Sequence, residues 1–269
     1  MSNGFGGDVI SSIKNVDIGL TDEGVHELCQ AFINSNCYSL KLLNVMNNNI
    51  TEKGMNEFKM LFSYNLFQIE DFSVANNPIQ DSGFINFLNG MEGKSCFINR
   101  LYLRETGLTE SSMLRLKQSL SIRDLSFKEL GLSNNLIGND WFAYLTEGLI
   151  ERRLEIKRLW LFNTGLNNDV NNSIIQFIQA HLFEKLFLLD ITSNEIDYDG
   201  LSDIVSAILD NEVPLDLEEL WLGGCPISDR GVELLTSLIR NGFLPKLSTL
   251  CIDSMIVGIG SCCSMWYNR

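Results

Sequence analysis

The stretch FKELGLSNNLI at residues 127–137 carries the pattern that decides the fold. Large apolar side chains alternate with variable positions, and two adjacent asparagines, Asn134 and Asn135, stand near the end of the stretch. As a template it becomes L-x-x-L-x-L-x-x-N-x-L, where L stands for any large apolar residue. A template of this kind determines a whole architecture if it recurs at a fixed interval. The five template positions are Phe127, Leu130, Leu132, Asn135 and Ile137.

The template occurs eight times in register along the chain. The intervals between successive starts are 29, 29, 29, 29, 30, 31 and 30 residues. A shortened ninth copy precedes them, in which Ile13, Val16 and Ile18 run into GLTDEG at residues 19–24. Copies in such regular register predict stacked structural units, none of which folds alone. The eight full copies begin at Leu40, Ile69, Ile98, Phe127, Ile156, Leu186, Leu217 and Leu247.

Each copy predicts a short strand followed by a turn. Alternation with period two sends Leu43 and Val45 to one face of the strand and Asn44 to the other. The asparagine position of the template predicts a buried side chain that bonds backbone groups in the turn, because an unpaired buried polar group costs about 1–3 kcal/mol. The residues at this position are Asn48, Asn77, Thr106, Asn135, Thr164, Asn194, Cys225 and, in the last copy, Met255.

The second half of each copy predicts a helix. Capping and acidic residues stand where the helices should begin, as in Thr21-Asp22-Glu23-Gly24, and apolar residues then recur at helical spacing. A glycine recurs fourteen residues after the start of a copy and is expected to let the helix and strand layers approach closely. Trp141 and Val170 replace it in two copies.

This pattern resembles the leucine-rich repeat family, and its long period is similar to that of the ribonuclease-inhibitor-like class. The alternation of Asn and Thr from Asn77 onward resembles the two repeat types of that class. The resemblance covers residues 10–257 and implies an α/β solenoid of about nine repeats of 29–31 residues. Parallel strands would line its concave face and helices its convex face.

The whole chain, residues 1–269, is predicted to be one leucine-rich-repeat domain. It would comprise a short N-terminal cap at 1–12, repeats at 13–257 and a C-terminal tail at 258–269. The tail is expected to fold back as a lid over the last repeat. The alternatives are that another subunit covers this end of the solenoid, or that the chain is a fragment.

Composition narrows the classes of partner. Hydrophobic residues make up 45% of the chain, which is enough for a core. With 34 acidic and 20 basic residues, the formal charge of −14 argues against nucleic acid and anionic membranes. No apolar run approaches the roughly 18 residues of a membrane span. The seven cysteines form no CxxC motif, and the N-terminus has no secretory pattern, so a cytoplasmic location is predicted.

The predicted binding surface is formed by the strand residues that face away from the core, and it is here called the concave wall. It consists of the third, fifth and seventh residues of each copy. Trp, Tyr and Arg are enriched at binding hot spots, and exposed aromatics on a strand suggest that a partner covers them. The predicted partner-binding residues are Arg100, Tyr102, Arg104, Arg158, Trp160, Phe162, Asp190, Glu219 and Trp221.

A structural explanation competes with this hypothesis. The aromatic rings can stack on neighbouring strands and stabilise the solenoid itself. The arginines can pair with Glu129, Asp190 or Glu219 along the wall, in pairs that add little stability. The sequence leaves both interpretations open.

Sequence motifs for catalysis are weak. Gly93-Lys94-Ser95 lacks the first glycine of a phosphate loop and would join a helix to a strand, the reverse of the required order. His26 and His181 have no companion at metal-ligand spacing. We therefore predict no catalytic residue, cofactor or metal.

The favoured hypothesis is a non-catalytic protein-interaction module or scaffold that binds a protein through the concave wall. One alternative is a regulator of a small GTPase, resembling the GTPase-activating proteins of Ran. Another is an inhibitor or sensor similar to ribonuclease inhibitor or to the repeats of NOD-like receptors. The partner's identity and the oligomeric state stay open.

Overall fold

The computed structural model describes residues 10–35, 39–63, 69–93, 96–121 and 125–253. Most of the predicted N-terminal cap and all of the predicted tail, including its role as a lid, lie outside these ranges. The division of the chain into cap, repeats and tail therefore stays a prediction.

Short strands and helices alternate through the described ranges. The strands are β1 (Ser12–Lys14), β2 (Leu42–Asn44), β3 (Asp71–Ser73), β4 (Cys96–Phe97), β5 (Arg100–Tyr102), β6 (Leu125–Ser126), β7 (Glu129–Gly131), β8 (Arg158–Trp160), β9 (Leu188–Asp190), β10 (Glu219–Trp221) and β11 (Thr249–Cys251). The helices are α1 (Asp22–Ser35), α2 (Glu52–Ser63), α3 (Gln80–Gly90), α4 (Glu110–Ser121), α5 (Asp140–Arg152), α6 (Asn171–Gln179), α7 (Tyr198–Asn211) and α8 (Ser228–Arg240). Single 3₁₀ turns occupy Asn168–Val170 and Phe183–Lys185.

Nine strands form one parallel sheet in the order β1-β2-β3-β5-β7-β8-β9-β10-β11. Each pair is in register at equivalent repeat positions, as Leu43 opposite Phe72 illustrates. Strands stack about 4.8 Å apart, whereas helices are about 10 Å wide, so the stack curves with the strands inside. The predicted solenoid, including the strand of the shortened first copy, is confirmed.

A second, two-stranded parallel sheet was not predicted. It pairs β4 with β6, with Cys96 opposite Leu125. These segments lead into the wall strands of two adjacent repeats. Stacking of the repeats brings their backbones side by side, which is a tertiary effect that the template does not contain.

The template's central apolar residues form one continuous interior row. Seven of them, one per repeat, are at most 4% exposed. Burying each such side chain contributes roughly 1.5–3 kcal/mol, and in this row both neighbouring repeats contribute to the burial. The row consists of Val45, Val74, Leu103, Leu132, Leu161, Ile191 and Leu222.

The template asparagines bond backbone groups, as predicted, and also connect repeats. Asn77 Nδ2 donates to the carbonyls of Val74 and Ala75 in its own repeat, at 3.0 and 3.1 Å. It also donates to Val45 of the preceding repeat, at 2.9 Å. Its Oδ1 accepts from the backbone N of Ile50 in that same preceding repeat, at 3.0 Å. Each asparagine therefore completes two turns.

This double role gives a physical reason for the Asn/Thr alternation. The Thr106 hydroxyl donates to Leu103 O within its own repeat, at 2.6 Å. Asn135 of the next repeat supplies further hydrogen bonds to this turn. Its Oδ1 accepts from the backbone N of Thr106 and Leu108, at 3.1 and 3.0 Å. In the same way Asn48 Oδ1 accepts from the backbone of the first copy, which has no asparagine at the template position.

The recurrent glycines allow close packing, and part of it is against the preceding helix, which was not predicted. A Cβ on Gly54 would lie 2.5 Å from Ile50 Cγ2, just before its own helix, and 2.7 Å from Asp22 Oδ1, at the start of the preceding helix. That carboxylate accepts from the backbone N of Thr51 and Gly54, at 2.8 and 2.9 Å. The acid at one helix start therefore caps the next helix.

None of the helices in the described ranges has both the length and the apolar character of a membrane span.

Candidate functional site

Four charged residues of alternating sign lie side by side at the third position of neighbouring strands. The in-register order is Asp71, Arg100, Glu129 and Arg158, here called the charge ladder. Arg100 Nε donates to Asp71 Oδ1 at 2.6 Å, and a second bond joins its Nη2 to Oδ2. Arg158 Nη1 donates to Glu129 Oε1 at 2.7 Å. Two of the three predicted partner-binding arginines are therefore already paired within the wall.

These pairs favour part of the structural explanation. The pairing of Arg158 with Glu129 was among the alternatives left open by the sequence, whereas that of Arg100 with Asp71 was missed. The sequence contained the signal for this ion pair, since Asp71 occupies the third position on the adjacent strand. The hydrogen bond to Asp71 raises the pKa of Arg100, which therefore stays charged. The ladder is a fixed polar strip with little net charge.

Tyr102 and Trp160 meet above the charge ladder across an intervening glycine. Their ring centroids are 5.6 Å apart and the ring planes are at 64°. A Cβ on Gly131, the residue between them, would lie 2.9 Å from Tyr102 Cδ1. The Tyr102 hydroxyl donates to Glu129 Oε2 at 3.0 Å. Both rings stay half-buried on the wall, so the mutual contact leaves part of each ring exposed to a partner.

Asp190 differs from the other predicted site residues because its side chain is buried. It is 6% exposed, and its Oδ1 accepts from the backbone N of Thr192 at 3.0 Å. Burial raises the pKa of Asp190, while the bonds from Thr192 and the positive charge of Arg104 act in the opposite direction. Arg104 Nε is itself buried and has no hydrogen-bond partner in the described residues.

The last described strands carry the third large aromatic residue of the wall. Trp221 is half-buried, and its Nε1 donates to Glu219 Oε2 on the same strand, at 3.3 Å. Trp221 is in register with Asp190 on one side and Cys251 on the other. Phe162 is half-buried in the seventh position, and its backbone N donates to Ser133 Oγ at 3.3 Å. All nine predicted residues thus lie on the wall or directly beneath it.

Several buried polar atoms near the wall have no hydrogen-bond partner among the described residues. They lie on the fifth, seventh and eighth positions of the repeats, and of their residues the sequence analysis predicted only Arg104 as a binding residue. An unpaired buried polar group costs about 1–3 kcal/mol, which a partner or bridging water that reaches it can recover. Besides Arg104 Nε, these atoms are Ser73 Oγ, Asn76 Oδ1 and Ser193 Oγ.

The groups relevant to metal binding and thiol chemistry in the described residues are the His, Cys, Asp and Glu side chains. Across the described ranges, no three His, Cys, Asp or Glu side chains are placed to hold a metal ion. Burial raises the pKa of the Cys29 thiol to about 12, which makes it a poor nucleophile at neutral pH. Burial also raises the pKa of Cys225, whose Sγ donates to Ile191 O at 3.3 Å in the template's asparagine position.

Comparisons with known proteins agree with this geometry. A family model described as "Leucine Rich repeat" matches residues 187–205 and 215–235. The ribonuclease inhibitor of Mus musculus is 26% identical over 230 residues, which are 85% of this chain and 48% of that protein. The inhibitor of Sus scrofa is 27% identical over 223 residues, 82% of this chain and 47% of that protein.

The chain carries leucine-rich repeats, and over most of its length it is similar to ribonuclease inhibitors. This leucine-rich-repeat protein is also similar to NACHT, LRR and PYD domains-containing protein 2 of Homo sapiens. That relative is 26% identical over 220 residues, which are 81% of this chain and 20% of its own. The chain spans about half the length of the two inhibitors and a fifth of the human protein.

Proposed function

We propose that this leucine-rich-repeat protein is a non-catalytic module or scaffold that binds a protein partner on its concave wall. The observation that carries the proposal is the set of half-buried aromatic residues on that wall: Tyr102, Trp160, Phe162 and Trp221. Large rings left partly exposed on a rigid sheet are the residues that most often dominate binding energy.

The dimensions of the wall suit a protein partner. Nine strands at about 4.8 Å spacing extend over roughly 40 Å, enough for about 800 Å² of contact on each partner. The formal charge of −14 disfavours nucleic acid as the partner. The free thiols Cys29, Cys225 and Cys251 support a reducing, cytoplasmic location.

The wall residues are expected to contribute unequally. Arg100 and Arg158 are held by carboxylates, so they present fixed polar groups that orient a partner more than they increase its affinity. The aromatic rings gain most from binding, because desolvating them is favourable and the sheet already holds them in place. We therefore rank the aromatics as the principal contact residues.

The test compares partner capture by the wild-type chain and by the double variant Trp160→Ala plus Trp221→Ala. We expect the double variant to lose the main captured protein with little change in melting temperature. Tyr144→Ala is the matched control, because Tyr144 is a half-buried aromatic on α5, on the convex face. Undiminished capture by the double variant would move the site away from the concave wall.

A second candidate function is inhibition of an enzyme by covering its active site. The similarity to the two ribonuclease inhibitors favours it. Turnover of a ribonuclease with and without the chain tests this candidate directly. Regulation of a small GTPase stays a prediction from the sequence, and turnover across a panel of small GTPases would test it.

A further inference from the structure

The two ends of the concave wall differ in how their acidic groups are paired. Toward the N-terminal end, Asp71 and Glu129 each hold an arginine within 4 Å. Toward the C-terminal end, Asp190 and Glu219 form no ion pair with any described residue. The strands beside Glu219 place Leu188 and Thr249 in register with it, and neither side chain carries a charge.

The carboxylate of Glu219 is also placed to act together with an aromatic ring. Its Oε2 accepts the indole Nε1–H of Trp221 at 3.3 Å. An indole that donates a hydrogen bond to an anion has a more negative face, and Trp is the best aromatic partner for a cation. In the described part of the chain the second oxygen, Oε1, accepts no hydrogen bond.

Asp190 lies next to this pair and supports it electrostatically. It is in register with Trp160 on one side and Trp221 on the other. At 6% exposure its charge acts through a medium of low dielectric constant, where electrostatic interactions are stronger than in water. Arg104 offsets part of this charge, whereas Glu219 has no such cation near it in the described strands.

We propose that Glu219, Trp221 and Asp190 form a binding site for a basic side chain, arginine or lysine, of the protein partner. The inference rests on the proposed function, because it specifies the chemistry that the partner brings to the same wall. The cationic head group packs on the indole face, Glu219 pairs with its edge, and Asp190 adds negative potential from below. A basic partner surface also complements the formal charge of −14.

The opposite occupant is a carboxylate of the partner bound to Arg104. Arg104 Nε is buried and unpaired in the described residues, which is the observation in its favour. The arrangement favours the cation, because the Arg104 charge is opposed by Asp190, while Glu219 is half-buried and forms no ion pair with any residue that the structure describes. The experiment below treats the carboxylate as a competing outcome.

The test titrates the intact chain with ethylguanidinium chloride and follows the indole N–H resonance of Trp221 by NMR. The Trp221→Phe variant assigns that resonance. We expect a saturable shift in the wild type, binding about threefold weaker in Glu219→Gln, and a smaller loss in Asp190→Asn. Glu151→Gln removes an exposed carboxylate on α5 and is the matched control, with binding unchanged. Ethylammonium chloride, in a parallel titration, shows whether lysine serves as well as arginine.

Two results overturn the proposal. One is an equal response to ethylguanidinium in the wild type and in Glu219→Gln. The other is tighter binding of sodium butyrate than of ethylguanidinium, which would assign the site to Arg104. If either occurs while the tryptophan double variant still loses its partner, the binding wall stands and only the partner's chemistry is wrong. If the double variant keeps its partner, the proposed function itself fails.

Discussion

Replacing one template asparagine tests the mechanism by which the repeats hold together. Asn135 is 2% exposed, and its Nδ2 donates to Leu103 O and Leu132 O at 2.7 and 2.9 Å. Its Oδ1 accepts from the backbone N of Thr106 and Leu108. The Asn135→Ala substitution therefore leaves four buried backbone groups without these partners, three in the preceding repeat and one in its own.

The magnitude follows from those four groups. An unpaired buried polar group costs about 1–3 kcal/mol, and local relaxation or an entering water lowers the total. We expect Asn135→Ala to reduce the free energy of unfolding by about 3–5 kcal/mol. Thr106→Val removes one hydroxyl bond, to Leu103 O, so we expect a loss of only about 1 kcal/mol.

The assay is urea unfolding followed by far-ultraviolet circular dichroism. Because cooperativity can break down in repeat arrays, the unfolding slope must be compared between variants before free energies are subtracted. Asn172→Ala on α6 is the control, since this exposed asparagine should change stability by less than about 0.5 kcal/mol. Equal losses in Asn135→Ala and Thr106→Val would refute the idea that one asparagine completes two turns.

Three further predictions concern the wall and the core. Gly131→Ala should push the Tyr102 ring away from Trp160, at a cost of about 0.5–1.5 kcal/mol, and unchanged tryptophan emission would contradict this. Burial raises the pKa of Asp190 above its unfolded value, so the folded state loses stability as pH rises from about 4 through the folded pKa. Asp190→Asn should therefore raise the melting temperature at neutral pH more than at acidic pH, and an equal effect at both would count against it. Val205→Ile should add about 0.8 kcal/mol by filling an apolar cavity of about 40 Å³ that is lined by α6, α7, α8 and the strand layer, and a lower unfolding midpoint would show that the cavity cannot accept the added methylene.

Much of the fold could be predicted because the repeat makes local pattern and global position equivalent. A residue such as Leu132 occupies the same place in its unit as Leu103 does in the preceding one, so stacking puts both in one interior row. The same logic placed Tyr102, Trp160 and Trp221 at the fifth position of the wall. It could not predict the small β4-β6 sheet, which depends on how two lead-in segments meet.

The sequence predicted which positions form the candidate site, but not which of their side chains pair with one another. Arg100 and Arg104 look equivalent in sequence, yet Arg100 is paired with Asp71 while Arg104 has a buried, unpaired Nε among the described residues. Asp190 was expected to face a partner, yet it is buried. Side-chain rotamers and the packing of adjacent strands decide these differences, and neither is contained in the spacing of the template.

The sequence by itself determined the repeat period, the interior row, the polar turn position and the face on which the exposed aromatics lie. It could do so because stacked units convert a one-dimensional period into aligned rows. Only the tertiary structure decided that Asn135 serves two repeats, that Asp22 caps the following helix and that Glu219 lacks a counterion in the described strands. The contacts of Asn135 and Asp22 join residues about 30 positions apart. Like the surroundings of Glu219, they depend on the side-chain reach and orientation that packing selects.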